Sequence, residues 1–229
     1  MINNNYIING AGVLLIERYV NRYNVSDYAF ILFKDSRKGK YFEAGGHMEL
    51  GESIQETAFQ ELKEESANLF RINPSYSTNI VIHNNYAVFP LFVVGPTYNM
   101  GGIYSKYYKY NLALLHQNPD TPDDFLETIN MKRFYISDLV KCGILNNLNM
   151  NITSDLICND ANGKAEIISN RTVNIIRQTI RLGIVEVNTN NFEPITIHLP
   201  LITLNLNSYY VPIAHTGRDF LIGTVAYYA

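Results

Sequence analysis

One stretch of the 229-residue chain decides the fold. It reads Gly-Gly-His-Met-Glu-Leu-Gly-Glu at residues 45–52 and Ser-Ile-Gln-Glu-Thr-Ala-Phe-Gln-Glu-Leu-Lys-Glu-Glu at residues 53–65. Ser53 is a favourable N-cap residue, and Glu56 follows it by three positions, which is the pattern of a capping box. The sequence therefore predicts a glycine-rich loop that leads into a helix, and this helix begins at Ser53 and extends to residue 68.

Three carboxylates of this helix, those of Glu61, Glu64 and Glu65, share one part of its surface. They lie beside the apolar positions of the helix, and like charges at these spacings repel one another. A divalent cation removes that repulsion, and carboxylate oxygens are ligands that suit Mg²⁺ or Mn²⁺. The glycines before the helix would let backbone carbonyls and Glu52 approach the same ion. The alternative is a solvated acidic face, but the preceding Gly-Gly pair favours a metal site.

Composition limits the class of protein. Hydrophobic residues make up 47% of the chain and charged residues 17%, which is ordinary for one large globular domain or for a domain with an extension. The net charge of −3 argues against a non-specific nucleic-acid binder, which would be strongly basic. Cys142 and Cys158 are the only cysteines in the sequence, so a disulfide scaffold is excluded and reduced thiols are expected. The sequence shows neither a long uncharged apolar run nor a signal-like N-terminus, and we expect a cytoplasmic protein without a membrane partner.

The rest of the chain contains a succession of strand and helix signals. Apolar runs of strand length are found at residues 11–17, 28–33, 80–82, 86–94, 104–115 and 132–136. Helices are predicted at 137–145 and 170–182, joined by a polar connector at 146–164. On the second helix, which Gly183 should end, Arg177 and Arg181 are expected to face solvent. From residue 192 the pattern has period two, which predicts two or three antiparallel strands.

Residues 46–69 resemble the signature motif of the Nudix hydrolase family. That motif consists of Gly, five residues, Glu, seven residues and then Arg-Glu-aliphatic-any-Glu-Glu-any-Gly-aliphatic. Three positions depart from it, because Gln60 replaces the Arg, Ala67 the Gly and Asn68 the aliphatic residue. We expect Asn68 to cap the helix in the left-handed conformation and Leu69 to serve as the aliphatic residue. The matching positions are Gly46, Glu52, Glu61, Leu62, Glu64 and Glu65.

The resemblance implies a fold and an activity. The fold is an α/β/α sandwich with a mixed sheet over residues 1–183. Residues 184–229 lie outside the resemblance, and their period-two pattern predicts a β-rich extension that packs on this domain or on a partner subunit, the latter giving a homodimer. The activity is hydrolysis of the pyrophosphate in a nucleoside diphosphate that is linked to another group, with Mg²⁺ or Mn²⁺ as cofactor.

The same resemblance implies the residues of the site. The metal would be held by Glu61, Glu64 and Glu65, which are also the catalytic residues. The carbonyl of Gly45 or Gly46 and the side chain of Glu52 would complete or support this set of ligands.

Two later additions to the site are weaker inferences. Members of the family often take one more carboxylate from a later loop, for which Glu127 is our candidate and Asp123 and Asp124 are rivals. An ordinary surface acid is the alternative for Glu127. A basic loop ahead of the motif could meet substrate phosphates, although a solvated loop is the simpler interpretation. Its residues are Arg37, Lys38 and Lys40.

A second class of function stays open at the level of sequence. Gln60 donates hydrogen bonds but brings no charge to a position where the family has Arg, which favours a non-catalytic scaffold that binds a nucleotide or a protein. Within the enzymatic class, an mRNA-cap hydrolase acting on capped RNA is a further hypothesis. The lack of a strongly basic composition counts against a long RNA partner.

Overall fold

The computed structural model of the chain describes residues 8–20, 26–67, 69–70, 80–94, 100–118, 126–185 and 187. Within these ranges the strands are β1 (Gly10–Val20), β2 (Ser26–Asp35), β3 (Tyr41–Phe42), β4 (Ala44–His47), β5 (Val81–His83), β6 (Tyr86–Val94), β7 (Thr128–Tyr135), β8 (Leu156–Asn159) and β9 (Ala165–Ile168). The helices are α1 (Ile54–Glu65), α2 (Met100–Gln117), α3 (Ile136–Lys141) and α4 (Asn170–Arg181). None of the four described helices combines the length and apolar character that a membrane span needs.

The strands form one mixed sheet in the order β5-β6-β1-β2-β3-β9-β8, with β4 added to β1 and β7 added to β2. β1 pairs in parallel with β6, and β3 with β9, whereas the other pairs are antiparallel. The segment from β3 to β4 changes partner along its length. Phe42 pairs with Phe33 of β2, and Ala44 pairs with Val13 of β1. Glu43 therefore lies at the point where the chain crosses from one strand to the next.

Helices cover both faces of the sheet, as the alternation of side chains in β1 illustrates. Ala11, Val13 and Leu15 join a core that includes residues of α1 and α2. Leu14 and Ile16, which point to the opposite face, join a second core with residues of α3 and α4. The expected α/β/α sandwich with a mixed sheet is thus confirmed. The expected extension at residues 184–229 lies almost entirely outside the described residues and stays a prediction, as do the strands predicted beyond residue 192.

The start of α1 follows the local sequence. The Ser53 side chain accepts a hydrogen bond from the Glu56 N–H, and the Glu56 carboxylate accepts one from the Ser53 N–H, which completes the predicted capping box. The end of the helix differs from the prediction. The helix stops at Glu65, and the left-handed residue is Ala67, with φ of 52°. Ala67 is fully buried, so core packing fixes the turn at the position where the motif has Gly.

The tyrosine-rich run at residues 104–115 is the clearest error of the sequence analysis, because this segment belongs to α2 and not to a strand. Tyr104 is fully buried, and Tyr107 and Tyr108 pack partly against the same core. These spacings of three and four residues place one face of a helix on the sheet. Tyr110, by contrast, is 61% exposed. The continuous run of apolar and aromatic residues concealed this helical period.

Arg177 also departs from expectation, because it is buried in α4 rather than exposed on it. Its Nη1 group donates a hydrogen bond to the carbonyl of Ile144. Its Nη2 group donates to the carbonyls of Asn147 and Met150 at 2.6 and 3.1 Å. The guanidinium thus organises the turns after α3, a segment in which the sequence showed only a polar connector. That connector also contains β8, which the sequence analysis did not predict.

Replacing Arg177 with Met should therefore lower the free energy of unfolding by about 2–4 kcal/mol, because backbone carbonyls lose their donors in a buried site. Arg181 lies one turn further along α4 and is partly exposed. Arg181→Met is the matched control and should change stability by no more than about 0.5 kcal/mol. Urea unfolding of both variants measures the difference, and equal effects would contradict the structural role of Arg177.

Candidate active site

A cleft of about 1220 Å³ brings together backbone and side chains from several elements. One part of its wall is formed by β4 and α1, through Gly45, Gly46, Glu61 and Glu65. Other parts come from the loop between β2 and β3, the turn between β5 and β6, the start of β7 and the N-terminal turns of α4. The segment that decided the fold at the level of sequence therefore also forms part of this cleft.

The carboxylates of α1 lie directly against the backbone of β4. A Cβ atom on Gly46 would lie 2.1 Å from Glu61 Oε1, so the Glu61 carboxylate occupies the space that a side chain would need. A Cβ atom on Gly45 would lie 2.6 Å from the carbonyl oxygen of Ala11 and 1.9 Å from Tyr86 Oη. The N–H of Gly45 donates a hydrogen bond of 3.1 Å to Glu65 Oε2. At Gly45 the backbone of β1 and the Tyr86 hydroxyl leave no room for a side chain, whereas at Gly46 a side chain would displace the Glu61 carboxylate.

The Glu65 carboxyl has a pKa well above its ordinary value. Burial disfavours its charged form, and the negative charge of Glu61 acts in the same direction. The hydrogen bond from Gly45 and the positive charge of Arg171 oppose this rise without cancelling it. The two acids are thus forced together in a poorly solvated place, which is the arrangement that a cation would stabilise.

Glu64 and Glu52 have other partners. Glu64 Oε1 accepts a hydrogen bond from Gln60 Nε2. Glu52 Oε2 accepts hydrogen bonds from the Thr57 hydroxyl at 2.6 Å and from the Glu49 N–H at 3.2 Å. Neither of these two acids lines the cleft. Glu52 instead fixes the glycine-rich loop to the first turns of α1.

The basic loop contributes two of its three predicted residues to the cleft, Arg37 and Lys38. Their N–H groups donate hydrogen bonds of 2.8 and 2.6 Å to Asp35 Oδ1. Although burial opposes it, these bonds hold the pKa of Asp35 below its usual value. Lys40 does not line the cleft and forms an ion pair of 2.6 Å with Asp155.

Glu127 lines the cleft and is exposed to solvent. Its carbonyl accepts a hydrogen bond of 2.8 Å from the N–H of Ser36 in the basic loop. The next residue, Thr128, donates its hydroxyl proton to the carbonyl of Glu65 at 2.6 Å. Glu127 therefore lies in a segment that is hydrogen-bonded to the end of α1. The rivals at positions 123 and 124 lie outside the described residues.

Sequence reasoning missed a buried ion pair next to the carboxylates. Glu43 is fully buried, and its Oε1 atom lies 2.8 Å from Arg171 Nε. Its other carboxylate oxygen accepts a hydrogen bond from the hydroxyl of Thr172. Arg171 lines the cleft, and its guanidinium carbon lies 4.4 Å from the centroid of the Tyr86 ring. Burial opposes the charge of Arg171, yet the carboxylates of Glu43 and Glu65 raise the pKa of Arg171 above its usual value.

The three-carboxylate metal site stays a prediction. Among the residues described in the structure, no group of three His, Cys, Asp or Glu side chains lies close enough to hold a metal ion. Two carboxylates, those of Glu61 and Glu65, remain on the wall of the cleft beside the glycine backbone. The signal that found them was helical spacing, which is local. No local signal could pair Glu43 with Arg171.

Comparison with known protein families and with curated proteins finds no match. Solved structures that resemble the chain include an Ap4A hydrolase and proteins of the mutT/nudix family. An Ap4A hydrolase from C. elegans is 15% identical, over 59% of this chain and 85% of that one, with a TM-score of 0.32. A mutT/nudix family protein from Listeria innocua is 11% identical over 73% of this chain and 88% of that one, with a TM-score of 0.33. A MutT/nudix family protein from Enterococcus faecalis is 9% identical over 74% of this chain and 60% of that one, with a TM-score of 0.35. At such scores these likenesses add no argument about activity, which depends on the geometry of the cleft.

The raised pKa of Glu65 makes a prediction for the metal-free protein. A carboxyl with a folded-state pKa above its unfolded value stabilises the fold at low pH, and this contribution is lost as the pH rises from about 4.5 through the folded-state pKa. Glu65→Gln stays neutral, so its stability relative to wild type should increase as the pH rises above about 4.5. Urea unfolding with a chelator present measures this difference at each pH.

Glu56→Gln on the same helix is the control, because the pKa of Glu56 is lowered by its hydrogen bonds with Ser53. Its contribution is present at neutral pH and is lost on acidification, so this variant should be less stable than wild type at pH 7 and approach it below about pH 4. A Glu65→Gln variant that shows the same pH dependence as wild type would refute the environment described for Glu65.

Proposed function

We propose that the protein is a metal-dependent pyrophosphohydrolase of the Nudix type. Its substrate is a nucleoside diphosphate linked to another group, and its cofactor is Mg²⁺ or Mn²⁺. The observation that supports this most strongly is the placement of Glu61 and Glu65 against the glycine backbone of β4, in a cleft that also contains Arg37 and Lys38. The carboxylates in this cleft can bind a cation, and the positively charged side chains in the same cleft can bind the phosphates of a substrate.

The residues present fit the proposed cation. Mg²⁺ is commonly bound through one or two carboxylates, with substrate phosphates and water completing its coordination. A pair of carboxylates is therefore sufficient, and a third acid is not required before substrate arrives. Glu61 and Glu65 would hold the ion, with the carbonyl of Gly45 or Gly46 as a further oxygen donor and Glu127, just before β7, as an addition. When bound, the cation supplies stabilisation of the charge that develops on the phosphoryl oxygens.

The chain's own side chains would divide the remaining work. Glu61 or Glu65 accepts the proton of the attacking water. The side chains of Arg37 and Lys38 would bind phosphate oxygens in the cleft. The hydrogen bonds from their backbone N–H groups to Asp35 hold the loop in place for this role. Lys40 supports the same loop through its ion pair with Asp155. These residues orient a diphosphate whose other substituents extend along the cleft.

Glu52 and Glu64 have supporting roles in this proposal. Glu52 fixes the glycine-rich loop through Thr57 and Glu49. For Glu64 to become a metal ligand, its hydrogen bond with Gln60 must first break. Neither acid lines the cleft, so their replacement should reduce activity less than replacement of Glu61 or Glu65.

One observation favours a second function. The Gln60 side chain donates a hydrogen bond to Glu64 at the position where the motif has Arg, so this position lacks the positive charge of the motif. A scaffold that binds a nucleotide or a protein without hydrolysing it would tolerate that loss. Capped RNA as a partner, a homodimer and a cytoplasmic location stay predictions from the sequence.

Release of phosphate tests the proposal, measured with Mg²⁺ over a panel of nucleotides, nucleotide sugars, dinucleoside polyphosphates and capped RNA. At least one substrate should be hydrolysed by the wild type and by Glu56→Gln, the variant that alters only the helix cap. Glu65→Gln should lose at least about 100-fold in rate, because a cation ligand supplies several kcal/mol in the transition state.

Two results separate the functions. Binding of Mn²⁺ without hydrolysis of any member of the panel would support the scaffold. Equal, small losses of rate at positions 56 and 65 would mean that the acids of α1 are an ordinary surface and that the site is misassigned.

A further inference from the structure

Arg171 lies in the same cleft as Glu61 and Glu65 but belongs to a different part of the fold. It is the second residue of α4, and α4 covers the face of the sheet opposite to α1. Its side chain is 35% exposed, although its Nε atom reaches a carboxylate that is fully buried. A guanidinium with one edge buried and the remainder exposed to a cleft can bind a second anion.

Three contacts fix this guanidinium in place. Its Nε atom is paired with Glu43 Oε1 at 2.8 Å. Its central carbon lies 4.4 Å from the ring centroid of Tyr86 and 5.4 Å from that of Phe42. The Tyr86 hydroxyl in turn donates a hydrogen bond of 3.1 Å to the carbonyl of Ala11 in β1. Because a fixed guanidinium loses little conformational freedom on binding, it is well suited to a phosphate group.

The ion pair with Glu43 occupies only part of the Arg171 guanidinium. The Oε2 atom of Glu43 already accepts a hydrogen bond from the Thr172 hydroxyl, and the pair with Arg171 involves Nε. A guanidinium carries five N–H donors in one plane, and the two terminal nitrogens match the spacing of two phosphate oxygens. The terminal nitrogens therefore provide donors beyond those that Glu43 needs.

The charges of the cleft create a need for such a group. Glu61 and Glu65 repel a phosphate chain that enters beside them, and positive groups must offset that repulsion. Arg37 and Lys38 do so from an exposed loop, where solvent weakens the attraction. Arg171 is more enclosed, and an ion pair is stronger where water is excluded.

We propose that Arg171 binds a phosphate group of the substrate, so that a diphosphate lies between the α1 carboxylates and the start of α4. This inference rests on the proposed function, because it places the substrate in the same cleft. It extends that function by naming the residue that binds the phosphoryl group of the diphosphate that does not react. Arg171 is thus a substrate-binding residue, contributed by the helix on the opposite face of the sheet.

Calorimetry tests this proposal through three titrations. They measure the binding of inorganic pyrophosphate alone, of Mn²⁺ alone, and of pyrophosphate in the presence of Mg²⁺. The variants are Arg171→Gln, Arg171→Lys and, as a control on the same helix, Arg181→Gln. Pyrophosphate should bind Arg171→Gln at least about 30-fold more weakly than wild type and Arg171→Lys about 10-fold more weakly, whereas Arg181→Gln should bind normally. Mn²⁺ should bind Arg171→Gln at least as tightly as wild type, because a positive charge near the carboxylates has been removed.

The opposite signs for anion and cation distinguish this role from a structural one. If Arg171 only neutralises Glu43, its loss should disturb the cleft and weaken both ligands together, and that result would overturn the proposal. Unchanged affinity for pyrophosphate would overturn it as well. If Arg171→Gln does not fold, Arg171→Lys decides, because it keeps a charge beside Glu43 and must still bind pyrophosphate more weakly at an unchanged melting temperature.

The same experiment separates the two proposals. A wild type that does not bind Mn²⁺ contradicts the proposed metal-dependent function. In that case the comparison of pyrophosphate alone between wild type and Arg171→Gln still tests the anion site.

Discussion

The cleft depends on one close contact, in which the backbone of β4 touches the carboxylates of α1. Gly46 leaves the space that the Glu61 carboxylate occupies, and the N–H of Gly45 binds Glu65. A side chain at Gly46 would displace the Glu61 carboxylate, and one at Gly45 would collide with the backbone of β1 and with the Tyr86 hydroxyl. The capping box at Ser53 fixes where α1 begins and therefore which of its residues reach β4.

The same short strand is held from the other face of the sheet. Glu43 lies between β3 and β4, where the chain changes its partner from β2 to β1, and its carboxylate is held by two residues of α4, Arg171 and Thr172. A buried carboxylate is costly to desolvate, and removal of either partner would leave it poorly compensated. Helices on opposite faces thus converge on a segment of a few residues. α1 contributes the carboxylates of Glu61 and Glu65 to the cleft, and α4 contributes the positively charged Arg171.

The parts of this arrangement that sequence predicted are those with local signals. The start of α1 follows from Ser53 and Glu56, and the juxtaposition of Glu61 with Glu65 follows from one helical turn. The prediction of a strand at residues 104–115 was wrong because aromatic residues on two faces of a helix can resemble a strand. Glu52 and Glu64 match the motif, but the Glu52 side chain accepts a hydrogen bond from Thr57 and the Glu64 side chain accepts one from Gln60. The sequence alone does not show these partners. Buried Arg177 and the pair of Glu43 with Arg171 depend on tertiary contacts between distant segments, which no periodicity encodes.

The central claim is that Glu61 and Glu65 form a cation site on the backbone of β4. Anomalous diffraction from crystals soaked in Mn²⁺ tests it most directly, because the metal is located without reference to activity. A peak is expected about 2.0–2.3 Å from a carboxylate oxygen of each residue, beside Gly45 and Gly46. A peak at other acids of the chain, or no peak at this pair in a crystal whose cleft is open to solvent, would contradict it.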